Sequence, residues 1–278
     1  MKPLLSIVIA NYNYGRFLEA ALTSVLNQKT DQIELIVVDG GSTDNSIEII
    51  RKYASQIVWW ISEKDKGQSD AFNKGFSHAT GKYLMWLNAD DILLPGSLRK
   101  VIGKLESHPD AQWFTANAVL CFNDGRIHQA WWGPHVYPNV LQRKNSPVVV
   151  FAPSSIFSKC IFEKVGGFDI THKYAMDTAL WLKFQSEGVK QRRINRFVWC
   201  FRMHENSKTA TYGDRDVDVA VEERLAAEVR EISQQLGYRM SRTLRLFSLL
   251  MRVIDGSFAV RWYLNVVWKN KQKIGGLT

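Results

Sequence analysis

The sequence predicts an α/β protein built on a doubly wound mixed sheet that is flanked by helices. Apolar runs typical of strands alternate with helical apolar spacing four times in about the first 105 residues. The strand runs, such as residues 5–10 and 33–38, lack polar alternation, which indicates burial on both faces. Polar residues follow each run, at the sheet edge where such folds bind ligands.

The two halves of this predicted sheet differ. Strands are predicted at residues 5–10, 33–38, 57–61 and 83–87, and Ser42 and Thr43 are predicted to cap the second helix. The later part reads as a hairpin, a helix from Met176 to Ser186 and a β-rich segment. We therefore expect one domain over residues 1–207, made of two halves, 1–110 and 111–207.

Most of the net charge of +9 lies near the C-terminus. Residues 239–273 hold eight basic residues and one acid, Asp255, and the rest of the chain is nearly neutral. This distribution argues against a nucleic-acid partner. Residues 208–278 are predicted to form a helical C-terminal extension. Its two amphipathic helices, within 241–270, fit either peripheral membrane contact or packing, for example in a homodimer.

The cysteines and the hydropathy predict a location. Cys121, Cys160 and Cys200 are odd in number and about 40 residues apart, a pattern of neither a metal site nor a disulfide framework. No apolar run reaches the roughly 18 residues that a membrane span needs. The chain is therefore expected to be cytoplasmic, with peripheral contact at the inner membrane face as an option.

The clearest chemical signal is the acidic turn Asn88-Ala89-Asp90-Asp91 after the fourth strand. Adjacent carboxylates repel each other and favour a cation between them. Oxygen ligands with room for water suit Mg²⁺ or Mn²⁺, which often also hold substrate phosphates. The alternative is a solvated acidic turn before Pro95. Polar residues also end the other strands, at Asn11, Asp39 and 63–65.

Six segments, in this order, resemble the signatures of family 2 glycosyltransferases. They are residues 6–13 (SIVIANYN), 37–44 (VVDGGSTD), 62–75 (SEKDKGQSDAFNKG), 88–91 (NADD), 166–169 with 176–177 (GGFD and MD), and 201–204 (FRMH). The resemblance spans about residues 4–207. It implies a GT-A fold and inverting transfer from a nucleotide diphosphate sugar, with UDP typical of the family. It also implies that residues 1–110 are the nucleotide-binding half and residues 111–207 the acceptor half. It also implies a glycan or lipid-linked hydroxyl acceptor in surface glycan synthesis.

The resemblance further implies roles for single residues. Asp177 matches the catalytic base, Asp39 the position that binds the nucleotide base, and Asp90 the second acid of the metal motif. His204 matches a position near the diphosphate and the metal. The predicted ligands of Mg²⁺ or Mn²⁺ are Asp90, Asp91 and His204. The predicted donor-binding residues are Ala10, Asn11, Tyr12, Asp39, Asp65, Asp70, Asn88 and Arg202.

Two residues depart from the family pattern. Asn88 stands where an Asp is usual, and an uncharged amide suits a ribose contact better than a metal. Met176 stands where an acid is usual before the base, so Asp177 lacks a neighbouring carboxylate that would strengthen it.

Three other classes of protein fit the sequence less well. A nucleotidyltransferase should carry a Gly-rich basic phosphate loop, which residues 11–16 do not resemble. A non-catalytic nucleotide- or sugar-binding protein with a decayed site is supported only by Asn88 and Met176. A nicotinamide enzyme lacks its Gly-X-Gly-X-X-Gly motif here.

Overall fold

The computed structural model describes residues 2–131, 154–205, 207, 223–224, 227–232 and 234–235. The two helices predicted within 241–270, and most of the predicted extension 208–278, lie outside the described residues. Among the helices that are described, none combines the length and the apolar character needed to cross a membrane.

The described residues form nine strands and six α-helices, and residues 223–224, 227–232 and 234–235 are also helical. In chain order the elements are β1 (Leu5–Asn11), α1 (Gly15–Leu26), β2 (Ile33–Asp39), α2 (Ser46–Tyr53), β3 (Trp59–Ser62), α3 (Gln68–His78), β4 (Tyr83–Asn88), β5 (Ile92–Leu93), α4 (Ser97–Glu106), β6 (Trp113–Phe122), β7 (Ile127–Trp131), β8 (Ser155–Ser158), α5 (Lys159–Lys164), α6 (Met176–Ser186) and β9 (Gln191–Met203).

Four parallel strands form the first half of the sheet, in the order β3-β2-β1-β4. Leu5, Ile7, Val8 and Ile9 of β1 are fully buried, which explains the unalternated apolar run. Residues at the ends of these strands are in register, with Asn11 opposite Asp39. The polar strand ends therefore share one edge of the sheet, as predicted.

The second half makes the sheet mixed. Strand β8 runs antiparallel to β4 and β6, β6 runs parallel to β9, and β5 pairs antiparallel with β9. Strands β6 and β7 form the predicted hairpin. The mixed α/β fold class is confirmed, because one sheet continues through both halves between its helices.

Two local predictions were wrong. Helix α2 begins at Ser46 with Asn45 as its cap residue, since the Ser42 hydroxyl is used by Asp39 instead. Cys121 and Cys200 are joined as a disulfide between the neighbouring strands β6 and β9, with Cα atoms 6.5 Å apart. A pair 79 residues apart could not be read from cysteine spacing.

Candidate active site

Asp39 lies at the end of β2, fully buried. Its carboxylate accepts hydrogen bonds from Asn11 Nδ2 (2.6 Å), Ser62 Oγ (2.6 Å) and Ser42 Oγ (2.6 Å). The backbone N–H groups of Gly41 (3.1 Å) and Ser42 (2.9 Å) also donate to it. A buried carboxylate needs such partners. Asp39 therefore joins the ends of three strands and fixes the turn after β2.

Gly40 lies between two predicted donor-binding residues. A Cβ at this position would meet Asp65 Oδ2 at 2.6 Å and the Tyr12 ring at 3.3 Å. Tyr12 is 57% exposed, so much of its side chain is open to solvent. Asp65 accepts a hydrogen bond from Gly67 N (2.8 Å), and burial raises its pKa, with the charge of Asp70 adding to the effect. The close approach brings an open aromatic ring and a carboxylate together beside the strand ends.

Ala10 and Asp70 occupy the flanks of this edge. Ala10 O accepts a hydrogen bond from Ala89 N (3.2 Å), which joins the end of β1 to the acidic turn. Asp70 lies in the first turn of α3 and accepts a hydrogen bond from Lys66 N (3.0 Å). Ala10 thus holds the acidic turn, and Asp70 holds the loop that precedes α3.

Asn88 forms a link between two side chains. Its Oδ1 accepts a hydrogen bond from Gln68 Nε2 (2.7 Å), and its Nδ2 donates to Asp91 Oδ2 (2.9 Å). A carboxylate at position 88 could not donate, and it would place a second negative charge against a buried one. This contact gives a physical reason for Asn at a position where the family usually has Asp.

Asp91 is fully buried and uses both of its oxygens within the protein. Oδ2 accepts from Asn88, and Oδ1 accepts from Arg202 N (3.0 Å). Burial raises the pKa of Asp91 well above its usual range, and Asp90 adds to the effect. The carboxylate therefore holds the acidic turn against β9.

Asp90 faces a histidine. His204 Nε2 lies 3.1 Å from Asp90 Oδ2, and the histidine side chain is buried whereas that of Asp90 is 15% exposed. The imidazole packs on the rings of Phe17 (centroids 4.5 Å apart) and Tyr14 (5.6 Å). Burial, aided by Asp90, raises the pKa of Tyr14 to about 12, so its hydroxyl stays protonated. Aromatic packing thus fixes the imidazole against the carboxylate.

Arg202 places a buried positive charge beside this pair. Its guanidinium lies over the Phe17 ring, 4.8 Å from the centroid, and its Nε and Nη2 are buried without a hydrogen-bond partner among the described residues. Burial lowers its pKa, while Asp91 and Asp90 act in the opposite direction. Buried donors without an acceptor are costly. The arrangement suits an anionic ligand such as a phosphate.

The Asp90–His204 pair can be tested as a site for a divalent cation. Within the described ranges, no three His, Cys, Asp or Glu side chains are grouped as a cation site. Asp90 Oδ2 and His204 Nε2 are 3.1 Å apart. Adjacent ligands of an octahedral ion with bonds of about 2.1 Å are about 3 Å apart, so the pair fits as two ligands. Asp91 offers no free oxygen for a third.

Asp177 lies in the first turn of α6. Its Oδ1 accepts a hydrogen bond from Thr178 N (2.6 Å). The preceding Met176 is buried, and its Sδ accepts a hydrogen bond from Ser69 Oγ (3.3 Å). Ser69 follows Gln68, the partner of Asn88, so α3 connects the start of α6 with the acidic turn. Burial against α3 also accounts for an apolar residue at position 176.

Sequence reasoning missed two residues that shape the site. One is Gln68, described above. The other is Asn73, whose Nδ2 donates to Phe168 O (2.8 Å) and whose Oδ1 accepts from Phe168 N (2.9 Å). Gly167 must lack a side chain here, because its Cβ would meet Asn73 Oδ1 at 2.8 Å. The available signal was that both residues fall within the matched segment 62–75.

Solved structures with a similar fold are glycosyltransferases. TarS of S. aureus, in complex with UDP-GlcNAc, has a TM-score of 0.61 at 18% identity, covering 87% of this chain and 74% of that one. The mannosyltransferase PcManGT of Pyrobaculum calidifontis, in complex with GDP-Man and Mn²⁺, has a TM-score of 0.57 at 16% identity, covering 100% and 85%. The sheet and its polar edge thus define a GT-A glycosyltransferase fold.

Sequence relatives carry the assignment further. A glycosyltransferase of Nostoc sp. is 42% identical over 129 residues, 45% of this chain and 40% of that protein. One of Rickettsia typhi is 29% identical over 194 residues, 66% of this chain and 58% of that protein. EpsE, a candidate glycosyltransferase of Bacillus subtilis, is 29% identical over 207 residues, 72% and 73%. The chain thus spans roughly half the length of the first two relatives. Residues 6–166, more than half of the chain, match Glycosyl transferase family 2, and the chain belongs to that family.

Proposed function

We propose that the chain is an inverting glycosyltransferase that transfers a sugar from a nucleotide diphosphate sugar, UDP-linked by family resemblance, to a hydroxyl acceptor. The observation that carries this proposal is the cluster of Asp90, His204 and the unused donors of Arg202 at the carboxyl edge of the sheet. This cluster combines ligands for a cation with donors for phosphate oxygens. The acceptor is a glycan or a lipid-linked sugar in surface glycan synthesis.

The nucleoside would bind beside Tyr12, Asp39 and Asp65. The open Tyr12 ring offers a stacking surface, and Asp65 supplies an acceptor next to it. Asp39 is enclosed by its five donors, so it acts mainly by holding the turn that the nucleoside contacts. Structural neighbours that bind UDP-GlcNAc or GDP-Man support a nucleotide-sugar donor in general.

Asp90 and His204 would hold a Mg²⁺ or Mn²⁺ ion beside the diphosphate. When bound, such an ion stabilises the negative charge of the leaving nucleoside diphosphate as a Lewis acid. Arg202 would donate hydrogen bonds to the phosphate oxygens, and its burial would strengthen that interaction. Asp91 and Asn88 keep the acidic turn in place.

Asp177 would act as the general base. Its carboxylate takes the proton of the acceptor hydroxyl while the acceptor oxygen attacks the anomeric carbon and the bond to the diphosphate breaks. A single displacement of this kind inverts the anomeric configuration. The departures at Asn88 and Met176 do not favour a decayed, non-catalytic site, since each side chain has a partner within the protein.

A donor screen tests the proposal. UDP-, GDP- and dTDP-sugars are incubated with the protein and Mn²⁺, and release of the nucleoside diphosphate is measured with and without excess EDTA. We expect release from one donor class and its loss in EDTA. The anomeric configuration of the released sugar is read by NMR at early times, before mutarotation equilibrates the two anomers. A product that retains the donor configuration would exclude the single displacement, and full activity in EDTA would exclude the cation.

A further inference from the structure

A carboxylate from far along the chain lies at the N-terminus of α6. Glu228 Oε2 accepts hydrogen bonds from the backbone N–H groups of Tyr174 (2.9 Å) and Ala175 (2.8 Å), and Oε1 accepts one from Lys173 (3.2 Å). Ala175 is the cap residue of α6, and its methyl side chain cannot accept a hydrogen bond. Backbone N–H groups at a helix start need acceptors and favour negative charge. Glu228 supplies both from another part of the chain.

Neighbours of Glu228 extend this contact. Residues 223–224 and 227–232 are helical, and Ile232 lies four residues after Glu228, the spacing of one helix face. Arg224 Nη1 lies 3.5 Å from the Tyr174 hydroxyl oxygen. Ile232 is buried in one apolar cluster with Ala179 and Leu182 of α6. Glu228 and Arg224 therefore hold the start of α6 by polar contacts, and Ile232 holds its first turns by apolar contacts.

We propose that Glu228 is a positioning residue that fixes the backbone from which Asp177 acts. This inference rests on the proposed role of Asp177 as the base. Asp177 follows Ala175 by two residues, so a shift of the Glu228-bound backbone moves its carboxylate. A general base must lie within about 2.6–3.2 Å of the group whose proton it takes. A displacement of about 1 Å can lower the rate by about 10²-fold.

The chain offers a matched pair of substitutions. Glu228→Gln keeps the shape of the side chain but turns an NH₂ group toward backbone N–H donors, so it cannot accept all three hydrogen bonds. Glu231→Gln makes the same change of charge at an exposed position of the same segment, where the carboxylate accepts a hydrogen bond from Gln235 (3.2 Å). Glu228→Asp retains the charge on a shorter side chain and tests partial rescue.

The first measurement is amide hydrogen exchange of the full chain without donor. Residues 173–178 should exchange about tenfold faster in Glu228→Gln than in the parent, because charge-assisted hydrogen bonds are lost. Exchange in Glu231→Gln should equal that of the parent. This experiment does not involve the reaction, so its failure leaves the proposed function untouched. Equal exchange in the two variants would overturn the positioning role.

The second measurement is turnover, with UDP-GlcNAc and GDP-Man as probes and release of UDP or GDP in Mn²⁺ as the signal. Glu228→Gln should lower kcat about tenfold with KM unchanged, Glu228→Asp should restore part of the loss, and Glu231→Gln should behave as the parent. A merely structural residue would lower Tm and leave kcat unchanged, and that result overturns the inference.

A double-mutant cycle separates this inference from the proposed function. In an Asp177→Asn background, Glu228→Gln should cause no further loss of kcat, because both changes act through the same group. An additional tenfold loss in that background would show that Glu228 acts elsewhere. If Asp177→Asn alone retains the parental rate, the base assignment fails, and the exchange result then limits Glu228 to ordering α6.

Discussion

Asp90 and Asp91 are neighbours in sequence, yet their carboxylates have different surroundings. Asp91 is enclosed by Asn88 and the backbone of Arg202. Asp90 is partly exposed, and among the described residues the hydrogen-bond partner of its carboxylate is His204. The sequence motif therefore contains one acid that can meet a ligand and one that holds the turn. The roles of such a pair can be separated by comparing identical substitutions.

We expect Asp90→Asn to weaken Mn²⁺ binding and lower activity with Tm nearly unchanged. Asp91→Asn should instead lower the free energy of unfolding by about 1–3 kcal/mol, because its amide NH₂ meets another donor in a buried site. Mn²⁺ titration and calorimetry of both variants check this. Equal Mn²⁺ affinity in parent and Asp90→Asn, or an unchanged Tm in Asp91→Asn, would contradict the division.

Asp177→Asn should lower kcat by about 10²-fold or more, the usual contribution of a general base, and leave donor affinity nearly intact. The amide retains the size of the side chain but cannot take a proton. Steady-state kinetics and donor titration measure the two quantities. Asp31, exposed between α1 and β2, provides a control carboxylate, and Asp31→Asn should retain the parental activity. A parental kcat in Asp177→Asn would place the base elsewhere.

Among the elements, α3 packs closely against the sheet. It packs through Gly75, where an added Cβ would collide with Val8 and lie 3.1 Å from Val38. Helix α3 also carries Gln68, Ser69 and Asn73, which bond to the acidic turn, to α6 and to Phe168. The depth at which this helix lies therefore sets the position of several parts of the site.

Gly75→Ala should lower the free energy of unfolding by about 1–3 kcal/mol, the usual cost of overpacking. Gly103, inside α4, has no atom within 4 Å of an added Cβ, so Gly103→Ala is a matched control. It should raise stability by about 0.5–1 kcal/mol through the helix propensity of Ala. Denaturant unfolding of both variants measures the two free energies. Equal effects of the two changes would mean that close packing at Gly75 is unimportant.

The elements also mark what the sequence could predict. Strands β1, β2 and β4 were readable because burial on both faces leaves an unbroken apolar run. Their polar ends could then be expected at one edge of the sheet, because parallel strands end at the same edge. Asn73 and Phe168 are 95 residues apart, and a contact over such a distance has no signature in the local sequence. The same holds for the Cys121–Cys200 disulfide. Ser42 was misread as a helix cap because its hydroxyl is used by Asp39 in three dimensions.

For the whole molecule, the charge of residues 239–273 leads to a prediction about location. We expect residues 241–270 to dock the protein on the cytoplasmic membrane face, through apolar helix faces and basic side chains that contribute about 1 kcal/mol each near anionic lipid. Packing on the protein or in a homodimer is the alternative. The domain division at residue 207 and this role both remain predictions.

Liposome co-sedimentation tests the docking. The intact chain should bind vesicles containing anionic phosphatidylglycerol, and high salt should release it. A chain truncated before Arg239 should stay in the supernatant. Vesicles of neutral phosphatidylcholine serve as the control. If the intact chain remains in the supernatant with anionic vesicles at low salt, the membrane role is wrong, and its oligomeric state then tests the dimer.

The pairing of the acidic turn with β9 also bears on biosynthesis. Strands β1 to β4 come from the first 88 residues, but Asp91 meets Arg202 across 111 residues and Asp90 meets His204 across 114. At about 5–20 residues per second, the ribosome needs roughly 6 to 23 s to make that interval. The parallel strands can pair while the chain is still growing. The proposed cation and diphosphate site would therefore be completed late in translation, after the part of the chain proposed to bind the nucleoside has formed.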